Sequence, residues 1–402
     1  MGESSFRYIC YHCMHRTDQE FEVCPECGRK KEDGQQPEEA LLAETILGGR
    51  YLLGETLGIG GFGITYLGLD LEENCLVAVK EYFPSGLVKR RDAGNGDYRV
   101  TVTGEEYRRI FQNGVREYLE EGKNLARLRE IPNIVSVKAY FMENETAYLV
   151  LDYIEGETLT TFLKKREAPM EAAEAVRLLL PALEAMAGMH VCGLIHRDIS
   201  PDNIMINAKD QKATLIDFGA ARDYRKGEGK TCIMVKPGYA PPEQYEKEAA
   251  QGPWTDIYGF CATLYRMITR EIPMESIRRE KGEPLRWPSE MGIPIDPGLE
   301  RILKGGMALS CRERCQSAEI LCLQLKEWML AQDREADGGQ EDMGAVPEPR
   351  EKVGIAESGD ENGEKICETQ RGFWAHADTF LWILIATALV SGICVLGLLL
   401  GL

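Results

Sequence analysis

Short alternating runs of apolar and polar positions fill the chain from about residue 50 to residue 330, and the pattern changes on either side. RYLLGETLGIGGFGITYLG at 50–68 reads as two strands with a glycine cluster between them. ITYLGLD continues the second strand, Glu72-Glu73-Asn74 marks a turn, and Leu76-Val77-Ala78-Val79-Lys80 forms a third strand. Further along, VRLLLPALEAMAGMH is apolar at helical spacing, with Pro181 expected to kink or start that helix. Residues 31–49, acidic with Pro and Gln, read as a linker. Residues 331–372 hold Asp, Glu, Gly and Pro with few aromatics, and read as a disordered acidic linker.

From Thr379 to Leu402 no residue is charged. At about 1.5 Å rise per residue this run makes a helix of roughly 36 Å, against a hydrocarbon core of about 30 Å. Trp374 and Trp382 lie near its start, where indole rings favour the membrane interface. The expectation is a transmembrane helix over 379–402 that anchors the chain by its tail. Gly397 and Gly401 are spaced G-x-x-x-G, which is compatible with a homodimer through this helix.

Composition narrows the picture. Of 402 residues, 44% are hydrophobic and 28% charged, enough apolar content for a real core and against a mainly disordered chain. The net charge of -18 argues against nucleic acid as a partner, because a polyanion needs a positive surface. The N-terminus, Met-Gly-Glu-Ser-Ser, lacks the basic start and apolar run of a secretory signal. Thirteen cysteines do not resemble a disulfide framework: four are clustered, and the other nine are scattered. That pattern points to reduced thiols in a cytoplasmic compartment and one metal site.

The cluster is Cys10-x-x-Cys13 and Cys24-x-x-Cys27, inside YICYHCMHRTDQEFEVCPECGRK. Two such knuckles bring four thiolates to one point, and Zn²⁺ takes them tetrahedrally. The arrangement over residues 7–30 resembles a zinc ribbon, too small to fold on a core alone. His12 and His15 read as exposed polar residues, since four cysteines already close the site. A closed site is structural, and the acidic surroundings of Tyr11 and Phe21 favour a protein contact over nucleic acid.

Gly58, Gly60 and Gly63 fit G-x-G-x-x-G, whose backbone can approach phosphates closely. A dinucleotide fold would place a helix after this loop, whereas here a strand follows and Lys80 sits on the next one. HRDISPDN at 196–203, DFG at 217–219 and APPE at 240–243 come later in that order. With these motifs residues 50–330 resemble the eukaryotic-type serine/threonine protein kinases found in bacteria.

The resemblance implies an α+β, two-lobed protein kinase fold, with a β-rich small lobe to about Val150, a mainly helical large lobe and ATP between them. Gly58, Gly60 and Gly63 would cover the phosphates. Lys80 would pair with the phosphates and with Glu121 on a helix, Glu120 being the neighbour a register error would choose. Asp198 would accept the substrate hydroxyl proton, and Asn203 and Asp217 would hold Mg²⁺. Ala78, Leu151, Asp152 and Ile154 would surround the adenine. Glu243 would pair with Arg314, and Asp256 would brace the catalytic loop. The implied activity is transfer of the ATP γ-phosphoryl to protein substrates; the alternative is a pseudokinase scaffold that recruits partners at a membrane.

Three features depart from the family. Ser200 stands where a lysine is usual, and Lys236 where a threonine is usual. A swap follows as an expectation, with Lys236 extending toward Asp198 and supplying the lost cation as a further catalytic residue. The segment from Tyr82 to Arg109 is unusually long, basic at Lys89-Arg90-Arg91, with turn signals at 93–96. It reads either as an extra hairpin beside the Glu121 helix or as a tolerated surface insertion. Thr231, amid Arg225, Lys226 and Lys230, is the hydroxyl best placed to be phosphorylated and to meet Arg197.

Overall fold

The computed structural model describes residues 7–33, 36–92, 98–218, 221–223, 235–246 and 248–337. The ribbon comes first, with β1 (Tyr8–Ile9) antiparallel to β2 (Arg16–Thr17). Then β3 (Ile46–Leu47), β4 (Tyr51–Ile59), β5 (Gly63–Asp70) and β6 (Cys75–Tyr82) build the small-lobe sheet. It is completed by β9 (Val137–Glu143) and β10 (Thr146–Asp152), in the order β3-β4-β5-β6-β10-β9, every pair antiparallel. Strand β6 shows why the sequence pattern was readable. Val77, Val79 and Glu81 are wholly buried on one face, while Leu76 is exposed.

Between β6 and β9 the chain makes β7 (Val88–Asp92) and β8 (Tyr98–Val102), an antiparallel hairpin, then α1 (Arg108–Ala126). The long segment after Lys80 is therefore a hairpin; its turn signals at 93–96 lie outside the described residues. Helix α1 buries Phe111, Val115, Tyr118, Glu121, Gly122 and Leu125, a helical stripe facing the sheet. A side chain at Gly122 would meet Leu149 Cδ2 at 2.6 Å, so the helix lies this close only because no Cβ is there.

The large lobe begins with β11 (Gly156–Thr158), α2 (Leu159–Lys165) and α3 (Ala172–Val191). Helix α3 starts at Ala172 and runs through Pro181, so the proline does not start it. Strands β12 (Leu194–Ile195), β13 (Ile204–Asn207), β14 (Ala213–Leu215) and β15 (Arg222–Asp223) flank the catalytic motifs. They are followed by α4 (Pro253–Thr269), α5 (Ser276–Glu280), α6 (Pro297–Gly306) and α7 (Ala318–Asp337).

Two segment boundaries differ from the sequence reading. The stretch 31–49 is not a bare linker: Ala40, Leu41 and Leu47 are buried in the core, and β3 adds a strand to the sheet. Helix α7 continues to Asp337, so the stretch 331–372 starts as helix, and its remainder lies outside the described residues. Among the described residues no helix is long and apolar enough to cross a membrane, and the expected span 379–402 lies outside them.

Candidate active site

Lys80 points from β6 into the cleft, and its Nζ lies 2.8 Å from Asp217 Oδ1. Burial alone would lower the lysine pKa, but the carboxylates of Asp217 and Glu121 outweigh it and hold the ammonium above its ordinary value. Glu121 is buried on α1 and its charge acts on Lys80, whereas Glu120 is solvent-exposed beside Lys123. The expected Lys80–Glu121 pair is not formed. Among the described residues Lys80 makes its ion pair with Asp217 alone. Burial, with Asp217 adding to it and Lys80 opposing, pushes the Glu121 carboxyl up to about 7. The lysine is instead taken by Asp217, whose side chain is about half exposed.

The catalytic loop is built on Asp256, fully buried at the start of α4. Its carboxylate accepts from the backbone N–H of His196 at 2.8 Å and of Arg197 at 2.7 Å, and lies 2.8 Å from His190 Nε2. Burial opposes ionisation, yet these partners hold Asp256 below the usual carboxylate range. Arg197 itself has φ +71° and Asp217 φ +60°, conformations that L side chains adopt only under constraint. Gln244 Nε2 donates to the Arg197 carbonyl at 2.7 Å, and Phe218, beside Asp217, packs 4.6 Å from the His196 ring. Neighbouring contacts thus determine the strained positions that aim Asp198 and Asp217.

Asn203 Nδ2 donates to Asp198 Oδ2 at 2.7 Å and to the Asp198 carbonyl at 2.9 Å. Its amide nitrogen is thereby committed to Asp198, and its amide oxygen and the Asp217 carboxylate are the oxygen ligand types that Mg²⁺ favours. Burial pushes the Asp198 carboxyl above its ordinary value, against the pull of Lys236 and Asn203. Ala78 and Leu151 face each other in the β6–β10 register, followed by Asp152 and Ile154 at the turn out of the sheet. Gly58 and Gly60 are exposed at the tip of the β4–β5 hairpin, and Gly63 opens β5. The Cβ of any other residue at Gly63 would lie 2.2 Å from the Glu81 carbonyl oxygen.

Lys236 does reach the catalytic loop, but to different partners from those expected. Its Nζ donates to Ser200 Oγ at 3.0 Å and pairs with Asp202. No ion pair joins it to Asp198 among the described residues. Asp202 was missed in the sequence, where nothing but its place two residues past Ser200 marks it. Glu243 pairs with Arg314 through two bonds of 2.6 and 2.9 Å, both side chains buried. Thr231 and its basic neighbours lie outside the described residues.

The four ribbon cysteines bring their sulfurs within 4.8 Å of one another. Cys10 Sγ and Cys27 Sγ are 3.7 Å apart, as are Cys13 Sγ and Cys24 Sγ. A tetrahedral Zn²⁺ with bonds of about 2.3 Å requires sulfur–sulfur edges of about 3.8 Å, so the donor set fits that ion. His12 is not an exposed bystander. Its buried ring lies 2.9 Å from the Lys30 carbonyl and 3.2 Å from Glu55 Oε2.

The protein kinase domain model matches residues 51–324. The serine/threonine-protein kinase PknA of Nostoc sp. is 30% identical over 286 residues, 68% of this chain and 46% of that protein. Serine/threonine-protein kinase D of Synechocystis sp. is 28% identical over 279 residues, 68% of this chain and 51% of that protein. The chain thus spans about half the length of these curated relatives. Among solved structures, one titled PpkA-294 apo form is 33% identical with a TM-score of 0.62, covering 71% of this chain and 99% of that one. The PknI kinase domain of Mycobacterium tuberculosis, at 22% identity and a TM-score of 0.52, covers 72% and 99% and supports the fold. By the extent of the domain match and the lobes it spans, the chain belongs to the protein kinase domain family, with bacterial serine/threonine-protein kinases among its relatives.

Proposed function

We propose that the chain moves the γ-phosphoryl of ATP onto serine or threonine hydroxyls of protein substrates, at the cytoplasmic face of a membrane. The observation that carries this is that the Lys80–Asp217 pair and the Asn203–Asp198 pair lie close enough for the Asp217 charge to act on the Asp198 carboxyl. The backbone of Gly58, Gly60 and Gly63 lies over the phosphates, and Ala78, Leu151, Asp152 and Ile154 line the place of the base. Lys80 neutralises the α- and β-phosphates, exchanging its contact with Asp217 for them. Asp198, held by Asn203, receives the hydroxyl proton; its raised pKa makes it a better acceptor. Asn203 and Asp217 hold Mg²⁺, which when bound offsets the polyphosphate charge. Lys236, held by Ser200 and Asp202, supplies a cation near the reacting phosphoryl.

The test is radiolabelled ATP with the purified full chain and a mixed protein substrate, alongside Asp198→Asn. Transfer to serine or threonine, lost in the variant, is the expected result. No transfer by the parent chain removes the enzyme and leaves the pseudokinase scaffold. The ribbon holds one structural Zn²⁺ through Cys10, Cys13, Cys24 and Cys27, and elemental analysis should find it and lose it when all four become Ser. Residues 379–402 form the membrane anchor, and deleting 373–402 should release the protein into the soluble fraction.

A further inference from the structure

Strand β4, which leads into the glycine loop, does not pair regularly with β5. Its register shifts between Leu53 and Thr56 and again between Thr56 and Gly58. A bulge leaves backbone groups without ladder partners. Here those groups are met from outside the kinase domain. The Glu55 N–H donates to the Tyr11 carbonyl of the ribbon at 2.8 Å. Gln36 acts as a substitute strand: its Oε1 accepts from the Thr56 N–H at 3.0 Å, and its Nε2 donates to the Gly54 carbonyl at 3.0 Å.

Side chains close the same contact. Arg29 Nη1 donates to Glu55 Oε1 at 2.8 Å and to Oε2 at 2.7 Å, and His12 lies against the same carboxylate. Met14 is buried on Leu52, Leu67 and Leu69 of β4 and β5. The approach is so close that a Cβ at Gly54 would sit 2.4 Å from the Tyr11 carbonyl oxygen and 2.5 Å from Met14 Cε. Beyond this point a cleft of about 710 Å³ opens between ribbon and strand, with Gly58 and Ile59 on its wall. The ribbon and Gln36 together therefore grip β4 at 54–56.

We propose that the ribbon and Gln36 set the position of the phosphate-covering loop, with Gly54, Glu55 and Gln36 as its positioning residues. The proposal rests on the kinase reading for its effect on nucleotide, but its effect on the loop does not. The loop tip from Gly58 to Phe62 is exposed. Its far side is tied down where the Phe62 carbonyl accepts from the Phe83 N–H at 2.9 Å and the Gly61 carbonyl from the Ser85 N–H at 3.0 Å, so the ribbon and Gln36 hold the entering side. With the ribbon displaced, the bulged stretch exchanges its fixed partners for water, and the loop samples more positions.

The experiment compares the zinc-replete full chain with Gly54→Ala and Glu55→Gln, by amide hydrogen exchange without nucleotide and by steady-state kinetics. Gly54→Ala removes one backbone hydrogen bond and Glu55→Gln one partly exposed ion pair, each corresponding to a rise of up to about 5-fold in opening of residues 55–63. KM for ATP should rise severalfold with kcat nearly unchanged, and zinc content should stay at the parental value. A purely structural role would instead raise exchange throughout the domain. Faster exchange in the ribbon with residues 55–63 unchanged overturns the proposal, as does parental behaviour of both variants. If Gly54→Ala fails to fold, Glu55→Gln decides by the same readouts. If the parent transfers no phosphoryl, the kinase reading fails while the exchange result still decides this one.

Discussion

Arg90→Met tests whether the hairpin after Lys80 is a tolerated insertion or part of the lobe. Arg90 and Glu81 are 5% and 0% exposed in their side chains, and Arg90 Nη2 donates to Glu81 Oε2 at 2.6 Å. Glu81 also accepts from Tyr66 at 2.7 Å and from Tyr148 at 2.8 Å. Burial disfavours the Arg90 charge, yet Glu81 holds its pKa above the ordinary value. Removing one partner of a buried pair costs about 3–5 kcal/mol. Because two tyrosine bonds remain to hold the carboxylate, the low end, about 3 kcal/mol, is expected here. At about 2–4 °C per kcal/mol for a domain of this size, Tm should drop by about 6–12 °C. Adding Glu81→Gln removes the uncompensated charge while its one oxygen still accepts from a tyrosine, and should restore part of the loss. The measurement is thermal unfolding at fixed pH. An Arg90→Met protein that melts within about 1 °C of the parent refutes the reasoning, and the hairpin is then an ornament of the surface.

Lys236→Ala should lower kcat on the order of 100-fold with little change in Tm; a change confined to KM would assign the lysine to substrate binding. Asp256→Asn should cost about 3 kcal/mol in thermal or denaturant unfolding, by weakening a buried carboxylate that fixes two catalytic-loop amides. Glu121, pushed up to about 7 from 4.5, keeps its proton in the folded, nucleotide-free state at pH values where the unfolded chain has lost it. Its stabilising contribution is therefore full below about pH 4.5 and lost as pH rises through about 7, and Glu121→Gln should flatten that part of the Tm–pH curve.

What the sequence made legible are the places where chemistry needs fixed residue types at fixed spacing. Cys10 to Cys27, Lys80, Asp198, Asn203 and Asp217 could be named one by one, and the structure brings each set together. Glu243 and Arg314 were equally readable, far apart in sequence yet bonded in the large lobe. Pairings that depend on the relative depth of two groups were not. Lys80 pairs with the half-exposed Asp217 and not with the buried Glu121, and no residue type announces that. Lys236 was expected to extend toward Asp198, but it bonds Ser200 and pairs with Asp202, a stronger partner than a hydroxyl. Residues 31–49 misled through composition: Gln36 and Pro37 read as linker, yet the Gln36 amide does the work of a missing strand.

That misread stretch ties the two additions of this chain to each other. At one end Gln36 holds the bulge of β4 that the ribbon grips through Glu55. A few residues on, the Glu39 carbonyl accepts from Arg90 Nε at 2.6 Å, and the Leu41 N–H donates to Tyr66 at 3.0 Å. Arg90 and Tyr66 are two of the partners of Glu81, the residue after Lys80. The ribbon thus clamps the strand entering the glycine loop, the hairpin clamps the strand carrying Lys80, and residues 36–41 join the clamps. Each clamp sets an arginine on a glutamate, one at the surface and one in the core. Screening by water leaves the Arg29–Glu55 clasp weak and easily opened, whereas the Arg90–Glu81 clasp opens only with the lobe. A lobe built this way keeps Lys80 fixed while allowing the glycine loop to be released from the ribbon side.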